Sequence, residues 1–325
     1  MFIALYVRKE AVLSSQIEGT QSSLSDLLMH EGSHEPPLPT DDLREVSNYI
    51  DAMTHGLERL RDGFPLSLRF IREIHEILLS GTRGAEKHPG EFRSSQNWVG
   101  GTRPGNAVYV PPPPDRVMEC MGDLEKFLHD DTVKLPILVK AAIAHVQFES
   151  IHPFLDGNGR VGRLLITFLL CVEGALSEPV LYLSLYLKTH RSTYYDLLQQ
   201  VRERGAWEVW LEFFLNGVAE AAEQAIDTAA RVMDLFEKDR EKIGNLGRVS
   251  SSVLRVHEYL QRHIYTNITV ASDQLGLSWP TVKKSMEHLI ELGIVTELSG
   301  RKRGRLYYYP QYMKILSEGT EPIKP

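Results

Sequence analysis

The stretch His152–Arg163, HPFLDGNGRVGR, decides how this chain is read. A histidine meets a proline, and an acid, two glycines, an asparagine and two arginines follow within twelve positions. None of these residues is a usual core former, so their crowding asks for chemistry. Pro153 lacks a backbone donor and disfavours helix at the residue before it, so the helix predicted upstream ends at His152 with the imidazole exposed. Gly157 and Gly159 let the backbone curl and point successive N–H groups at one anion. A helix predicted from about Val161 aims its unsatisfied N–H groups and positive dipole end the same way. Arg160 and Arg163, three apart, bring two guanidiniums to that side. The spacing predicts a polyphosphate cradle. Asp156 would repel phosphate unless a hard cation mediates, and Mg2+ held by one carboxylate plus phosphate oxygens resolves the conflict. His152, with an ordinary pKa near ~6.5, is the natural general base for a hydroxyl attacking phosphorus.

Around this stretch most of residues 1–240 reads as helix. LVKAAIAHVQFESI from Leu138, RLLITFLLCVEG from Arg163 and the long run from Val209 to Asp239 all carry helical apolar spacing. EFRSSQNWVGGTRPGNAVYVPPPP from Glu91 differs, with glycine turns and a β-prone AVYV, and predicts a hairpin flap able to hold an extended peptide. Near Asn245–Val253 the composition turns to glycine and serine. Three predicted helices follow, the last starting at Ser278-Trp279-Pro280, and then an alternating segment that turns at Gly300 and Gly304. Helix, helix-turn-helix and wing together resemble a winged-helix domain.

The composition is that of an ordinary globular chain, 42% hydrophobic and 24% charged. Cys120 and Cys171 stand far apart, which argues against a disulfide scaffold or cysteine zinc site and makes a reducing cytoplasm the default. The N-terminus has no secretory pattern and the longest apolar run, Leu164–Val172, is too short to span a bilayer, so no membrane partner is expected. The net charge of −7 hides an asymmetry, since residues 245–325 carry 11 Lys+Arg against 7 Asp+Glu and residues 1–244 carry 25 against 36. The basic tail piece is the candidate for a different partner.

Position for position, His152–Arg163 resembles the H-P-F-x-[DE]-G-N-G-R-x-x-R signature of Fic-domain proteins, mostly AMP transferases. The resemblance runs from about residue 1 to 240, through GEFR, the flap and YYDLLQQVRERGAWEVW. It implies a mainly α, Fic-type helical core with a β-hairpin flap, followed by the smaller C-terminal winged-helix (α/β) domain. The implied division is an N-terminal segment at 1–35, a catalytic core at 36–240, the winged helix at 241–318 and a tail at 319–325. It further implies ATP held on Gly157, Asn158, Gly159 and Arg160, with Mg2+ on Asp156, Arg163 at the γ-phosphate and Tyr195 near the adenine. His152 would deprotonate a Ser, Thr or Tyr hydroxyl of a target at the flap, about residues 98–111, with Asn158 and Arg160 completing the catalytic set. Where a phosphorylating branch has lysine this chain has Gly159, which favours AMP transfer over phosphate transfer.

A second motif is SSQIEGT, Ser14–Thr20. Ser14 and Glu18 lie four apart on one helix face, beside an apolar stripe of Phe2, Tyr6, Leu13 and Ile17 that Gly19 can end. Alone, Glu18 reads as a solvated surface acid. The family resemblance makes Ser14 and Glu18 the inhibitory helix, with Glu18 pairing to Arg163 in place of the γ-phosphate.

Other readings stand beside these. His145, Glu149 and His152 could form a zinc site, but the pattern is not H-E-x-x-H and Pro153 takes His152 off the helix. Lys283, Lys284 and the run RKRGR at 301–305 are candidates for DNA phosphates, although a charge run is usually a solvated face. A DNA-binding regulator whose Fic-like body only senses nucleotide is the rival to the enzyme. Intact His152 favours the enzyme, because a sensor needs the cradle but no base. The resemblance also admits removal of AMP from a modified protein, self-modification and a homodimer.

Overall fold

Apolar residues at helical spacing become helices throughout the computed structural model, which describes residues 2–32, 40–130, 132, 134–298 and 305–322. In chain order these are α1 (Phe2–Ile17), α2 (Leu24–Gly32), α3 (Asp41–Arg61), α4 (Leu68–Leu78), α5 (Pro114–His129), α6 (Ile137–Ile151), α7 (Asn158–Val172), α8 (Leu183–Thr189), α9 (Arg191–Arg204) and α10 (Trp207–Gly244). The chain sorts into two units. The larger takes in residues 6–21 and 41–222, and the smaller takes in 2–5, 22–32, 40 and the described part of 223–322.

In the larger unit α6 packs along α7 and α5, and α3 packs along α4 and α7. Both α6 and α7 are buried on nearly every face: Ala142, Val146 and Phe148 of α6 and Leu164, Phe168 and Leu170 of α7 are at most 1% exposed. Each such large side chain contributes about 1.5–3 kcal/mol by leaving water. The loop between these two helices is therefore clamped at both ends by the core, and it is the loop that carries the signature.

The expected flap is narrower than a hairpin. One antiparallel bridge joins Val99 to Tyr109, with Val99 N–H donating to the Tyr109 carbonyl at 2.9 Å, and a single 3-10 turn spans Pro104–Asn106. Pro111, Pro112 and Pro113 follow at once and have no N–H for a ladder, so the pairing stops there.

The smaller unit continues with α11 (Ser250–Arg262), β1 (Tyr265–Asn267), α12 (Ile268–Leu275), α13 (Trp279–Glu291), β2 (Thr296–Glu297), β3 (Leu306–Tyr308) and α14 (Pro310–Ser317). Its sheet is antiparallel in the order β1-β3-β2, with Tyr308 opposite both Tyr265 and Thr296. Asn267 and Ser278 cap α12 and α13 by accepting from the Val270 and Thr281 N–H groups. Val253, Val256, Leu260, Val282 and Leu289, all 0% exposed, make its core. Its limits differ from the expected ones. Residues 24–32 join it because Gly32 lies against Tyr265 and Ser25 Oγ shares a 2.8 Å hydrogen bond with the Tyr265 hydroxyl. The expected turn at Gly300 and Gly304, and Arg301–Arg303, lie outside the described residues. Among the described residues no helix is long and apolar enough to cross a membrane.

Candidate active site

The signature loop is built by bonds that cross the chain. α6 ends on His152, which takes φ 50° and ψ 59° while its N–H donates to the Phe148 carbonyl at 2.9 Å. This left-handed backbone is uncommon for a residue with a Cβ and persists only where the surroundings impose it. Arg93 and Asn97 impose it: the His152 carbonyl accepts from Arg93 Nε at 2.9 Å and from Asn97 Nδ2 at 3.3 Å. The Arg93 guanidinium, 4% exposed, also donates to the carbonyls of Ser95, Pro112 and Ile151. His75 stacks on Phe154 at 3.6 Å between centroids, accepts the Gly90 N–H on Nδ1 at 2.9 Å and donates from Nε2 to the Asp156 carbonyl at 3.0 Å.

Sequence reasoning missed Asn97 and His75, which come from distant segments and have no spacing signal of their own. Of the bonds that frame the loop it noted only GEFR.

Asn158 Oδ1 accepts from Phe154 N at 2.9 Å and its Nδ2 donates to the Phe154 carbonyl at 2.8 Å, so the side chain closes the loop on itself. For this reason α7 begins at Asn158, behind Gly157 at φ 75°, and not near Val161. Arg160 also departs from the expected placing. Its guanidinium, 4% exposed, donates to Glu45 Oε2 at 3.2 Å, and Arg83 Nε donates to the other Glu45 oxygen at 2.8 Å. What residues 158–160 keep for an anion is the N-terminal backbone of α7.

Arg163 is where an anion sits already. Buried to 3% exposure, it donates from Nε to Ser14 Oγ at 2.7 Å and from one terminal nitrogen to the Ser14 carbonyl at 3.0 Å and to Glu18 Oε1 at 2.7 Å. A Cβ built on Gly159 would fall inside the Glu18 carboxylate, so that glycine leaves the room the carboxylate fills. Burial pushes the Glu18 carboxyl up, but Arg163, aided by Arg160 and His152, outweighs it and holds the group below its ordinary value. The pocket at the start of α7 thus accepts an anion of this chain's own, as helix N-termini do.

Asp156 is half exposed and its Oδ1 accepts the Gly157 N–H at 2.6 Å. Among the described residues no group of three or more His, Cys, Asp or Glu side chains is placed to hold a metal ion. A lone accessible carboxylate still fits Mg2+, which takes most of its ligands from phosphate and water. His152 is not exposed as expected, since its side chain keeps 20% of its surface. Burial, and then the cation of Arg202, push its pKa down to about 4, so the imidazole is neutral at pH 7 and able to accept a proton. Tyr195 lies under the Arg191 guanidinium, 5.3 Å from its ring centroid. Its hydroxyl pKa is raised by burial and then by the charge of Glu18. His145 is engaged on both nitrogens, at 3.1 Å to the Gly162 carbonyl and 2.8 Å to the Tyr194 hydroxyl, as a core histidine.

The Fic/DOC family profile matches residues 65–170 and the Fic/DOC family N-terminal profile matches residues 1–58, together about half of the chain. The chain belongs to the Fic/DOC family. It is 37% identical over 163 residues to a protein adenylyltransferase Fic of Aedes aegypti and 34% identical to one of Culex quinquefasciatus. Each match covers 50% of this chain and 29% of the relative, so the chain aligns with under a third of those proteins. The fold is similar to that of a Fic family protein from Desulfovibrio desulfuricans, with a TM-score of 0.60, 24% identity, 94% of this chain covered and 87% of that one. It is also similar to a Fic domain containing signaling protein from Bacteroides thetaiotaomicron, with a TM-score of 0.56, 21% identity, 69% of this chain covered and 86% of that one.

Proposed function

We propose that this chain transfers AMP from ATP to a hydroxyl side chain of a target protein, or of itself, and that Glu18 restrains the reaction. The observation that carries the reading is the Glu18 carboxylate on Arg163, at the N-terminus of α7 and within the electrostatic reach of His152. An arginine that holds one anion there is suited to hold a phosphate when the carboxylate leaves. The names of the relatives support the class of reaction.

In this reading the backbone of Gly157, Asn158, Gly159 and Arg160 receives the phosphates, Tyr195 flanks the adenine and Asp156 holds Mg2+. Mg2+ there supplies neutralisation of phosphate charge. Neutral His152 accepts the target's hydroxyl proton. The hydroxyl oxygen bonds to the α-phosphorus as the bond to pyrophosphate breaks. Arg93 and Asn97 keep the base in place through the His152 carbonyl. The bridge at Val99 and Tyr109 supports a role for 98–111 as the edge on which an extended target segment lies.

The smaller unit has the element order of a winged helix, which supports a target-selecting role. Lys283 of α13 already lies 3.6 Å from Glu287, which weighs against phosphate binding by that helix.

The test is label transfer from ATP carrying 32P at the α- or the γ-phosphate, in wild type, Glu18→Gly and Glu18→Gly/His152→Ala. Label from the α position only, strongest in Glu18→Gly and missing with His152→Ala, is expected. Label from the γ position would replace the reading with phosphorylation. Release of AMP from a modified protein by wild type, without any transfer by Glu18→Gly, would replace it with removal.

A further inference from the structure

Among the described residues, two buried polar atoms beside the base have no bond, Glu149 Oε1 and His152 Nδ1. Glu149, on the last turn of α6, is 6% exposed. Its Oε2 stands 3.9 Å from His152 Nδ1. Among the described residues neither its Oε1 nor His152 Nδ1 has a partner in hydrogen-bond geometry. Buried acids are normally paired, and the exceptions ask for a reason.

The carboxylate's seat is built for it. Gly162 of α7 lies opposite, where a Cβ would come within 2.6 Å of Oε1, and the His145 ring borders the same notch. Arg202 of α9 fixes the turn from behind, donating to the Glu149 carbonyl at 3.0 Å and to Ser150 Oγ at 3.2 Å. Backbone and neighbours are thus fixed, with one carboxylate oxygen in the Gly162 notch and the other 3.9 Å from the imidazole. The charged and titratable groups around it are His145 and His152 of α6 and its end, Arg163 of α7, Arg202, Tyr194 and Tyr195 of α9, and Glu18 just past α1.

We propose that Glu149 is the positioning residue of the general base: its carboxylate receives the Nδ1–H of His152 as Nε2 accepts the target's hydroxyl proton, so that the imidazolium is met by a charge inside the protein. The inference rests on the transfer reaction proposed above. The hydroxyl proton ends on Nε2, the Nδ1–H stays on Nδ1, and the oxygen's electron pair forms the bond to phosphorus as the pyrophosphate bond breaks. A 3.9 Å gap before substrate arrives is of the kind that closes when the ring charges. The main-chain carbonyl of Glu149 favours the charged ring as well.

Titration is consistent with this pairing. Burial pushes the Glu149 carboxyl up to about 7, against the pull of Arg163, while His152 is pushed down to about 4. The pair then takes its first proton near neutrality, and that step belongs to both groups. Transfer should rise with pH through about 7 as the carboxylate ionises.

The test has a spectroscopic arm and a kinetic arm. Full-length protein labelled with 13C and 15N at histidine is titrated by NMR, the His152 ring signals being assigned by their loss in His152→Ala. A ring step near pH 7 in wild type that disappears in Glu149→Gln is expected; no such step, or one that survives Glu149→Gln, overturns the proposal. In the Glu18→Gly background, Glu149→Gln is expected to lower kcat about 10–100-fold with KM for ATP unchanged and to abolish the rise through neutral pH, with Glu149→Asp restoring part of both. An unchanged kcat and pH profile overturns it. Absence of label in Glu18→Gly itself is a failure of the transfer reading, and the ring titration then still decides whether Glu149 and His152 are coupled.

Discussion

Replacing Glu18 with glutamine should weaken the fold and tighten the nucleotide site at once. The Glu18–Arg163 contact is 2.7 Å, with Arg163 2% and Glu18 33% exposed at their side chains. Two unit charges ~4 Å apart attract by about 4 kcal/mol at an effective dielectric of ~20. The exposed third of Glu18 lets water screen part of this, and Arg163 keeps both its bonds to Ser14, so a net loss of about 1–3 kcal/mol is expected. That corresponds to a Tm lower by about 2–10 °C for a unit of this size. A triphosphate would no longer displace a carboxylate, and the same energy is about 5–150-fold in affinity. Scanning calorimetry measures the first, and titration calorimetry with ATP and Mg2+, in His152→Ala to prevent turnover, measures the second. The Glu18 carboxyl is held below its ordinary value, so its stabilising share is present above about 4.5 and is lost as pH falls through the lowered folded value. Wild type and Glu18→Gln should therefore converge in strong acid. Equal Tm at pH 7, with no gain in ATP affinity, would refute the account of Glu18 as an anion seated on a phosphate's arginine.

Gly159→Ala puts a Cβ where the Glu18 carboxylate lies, so it should cost about 1–3 kcal/mol in urea unfolding of wild type and much less in Glu18→Gly, a coupling that a double-mutant cycle reads directly. Arg93→Lys cannot reproduce a planar fork that serves the carbonyls of His152, Ser95, Pro112 and Ile151. At least ~3 kcal/mol of stability should go, together with most transfer activity, and a loss of activity at unchanged stability would show that the fork does not hold the loop. Glu10 of α1 is buried among Ser184 and Tyr49, and burial pushes it up to about 7. A raised carboxyl stabilises fully below about 4.5 and loses that share as pH rises to about 7, so the gap in urea midpoint between pH 5 and pH 8 should shrink in Glu10→Gln.

The signature was legible because its chemistry is local: a proline that ends one helix, glycines that turn and an arginine one turn inside the next. Ser14 and Glu18 were legible for the same reason, since four residues bring them to one face. The role of Arg160 was not, because its partner Glu45 lies 115 residues away and nothing in the sequence around Glu45 marks a buried acid. His75 and Asn97 reach the loop only through tertiary contacts, and so does the notch at Gly162 in which Glu149 sits. The flap was legible in the strand-forming AVYV and its glycine turns, and its short extent follows from the prolines after it, which limit the pairing to one bridge. The limits of the smaller unit were hidden because α2 joins it by packing on Tyr265, which no local spacing announces.

The helix that carries Ser14 is itself core. Ala11, Val12, Leu13 and Ile17 of α1 are all 0% exposed, and uncovering the three large ones would cost about 5–9 kcal/mol, close to the whole stability of a typical domain. In the proposed reading, release of Arg163 by swinging the whole helix away would be far too costly. Glu18, one residue past its end and partly in water, can leave Arg163 by rotating its own side chain. In that reading the latch and its hinge are one residue, so release should need only a side-chain rotation, slowed by the ion pair it breaks, and no slow refolding of the body around it.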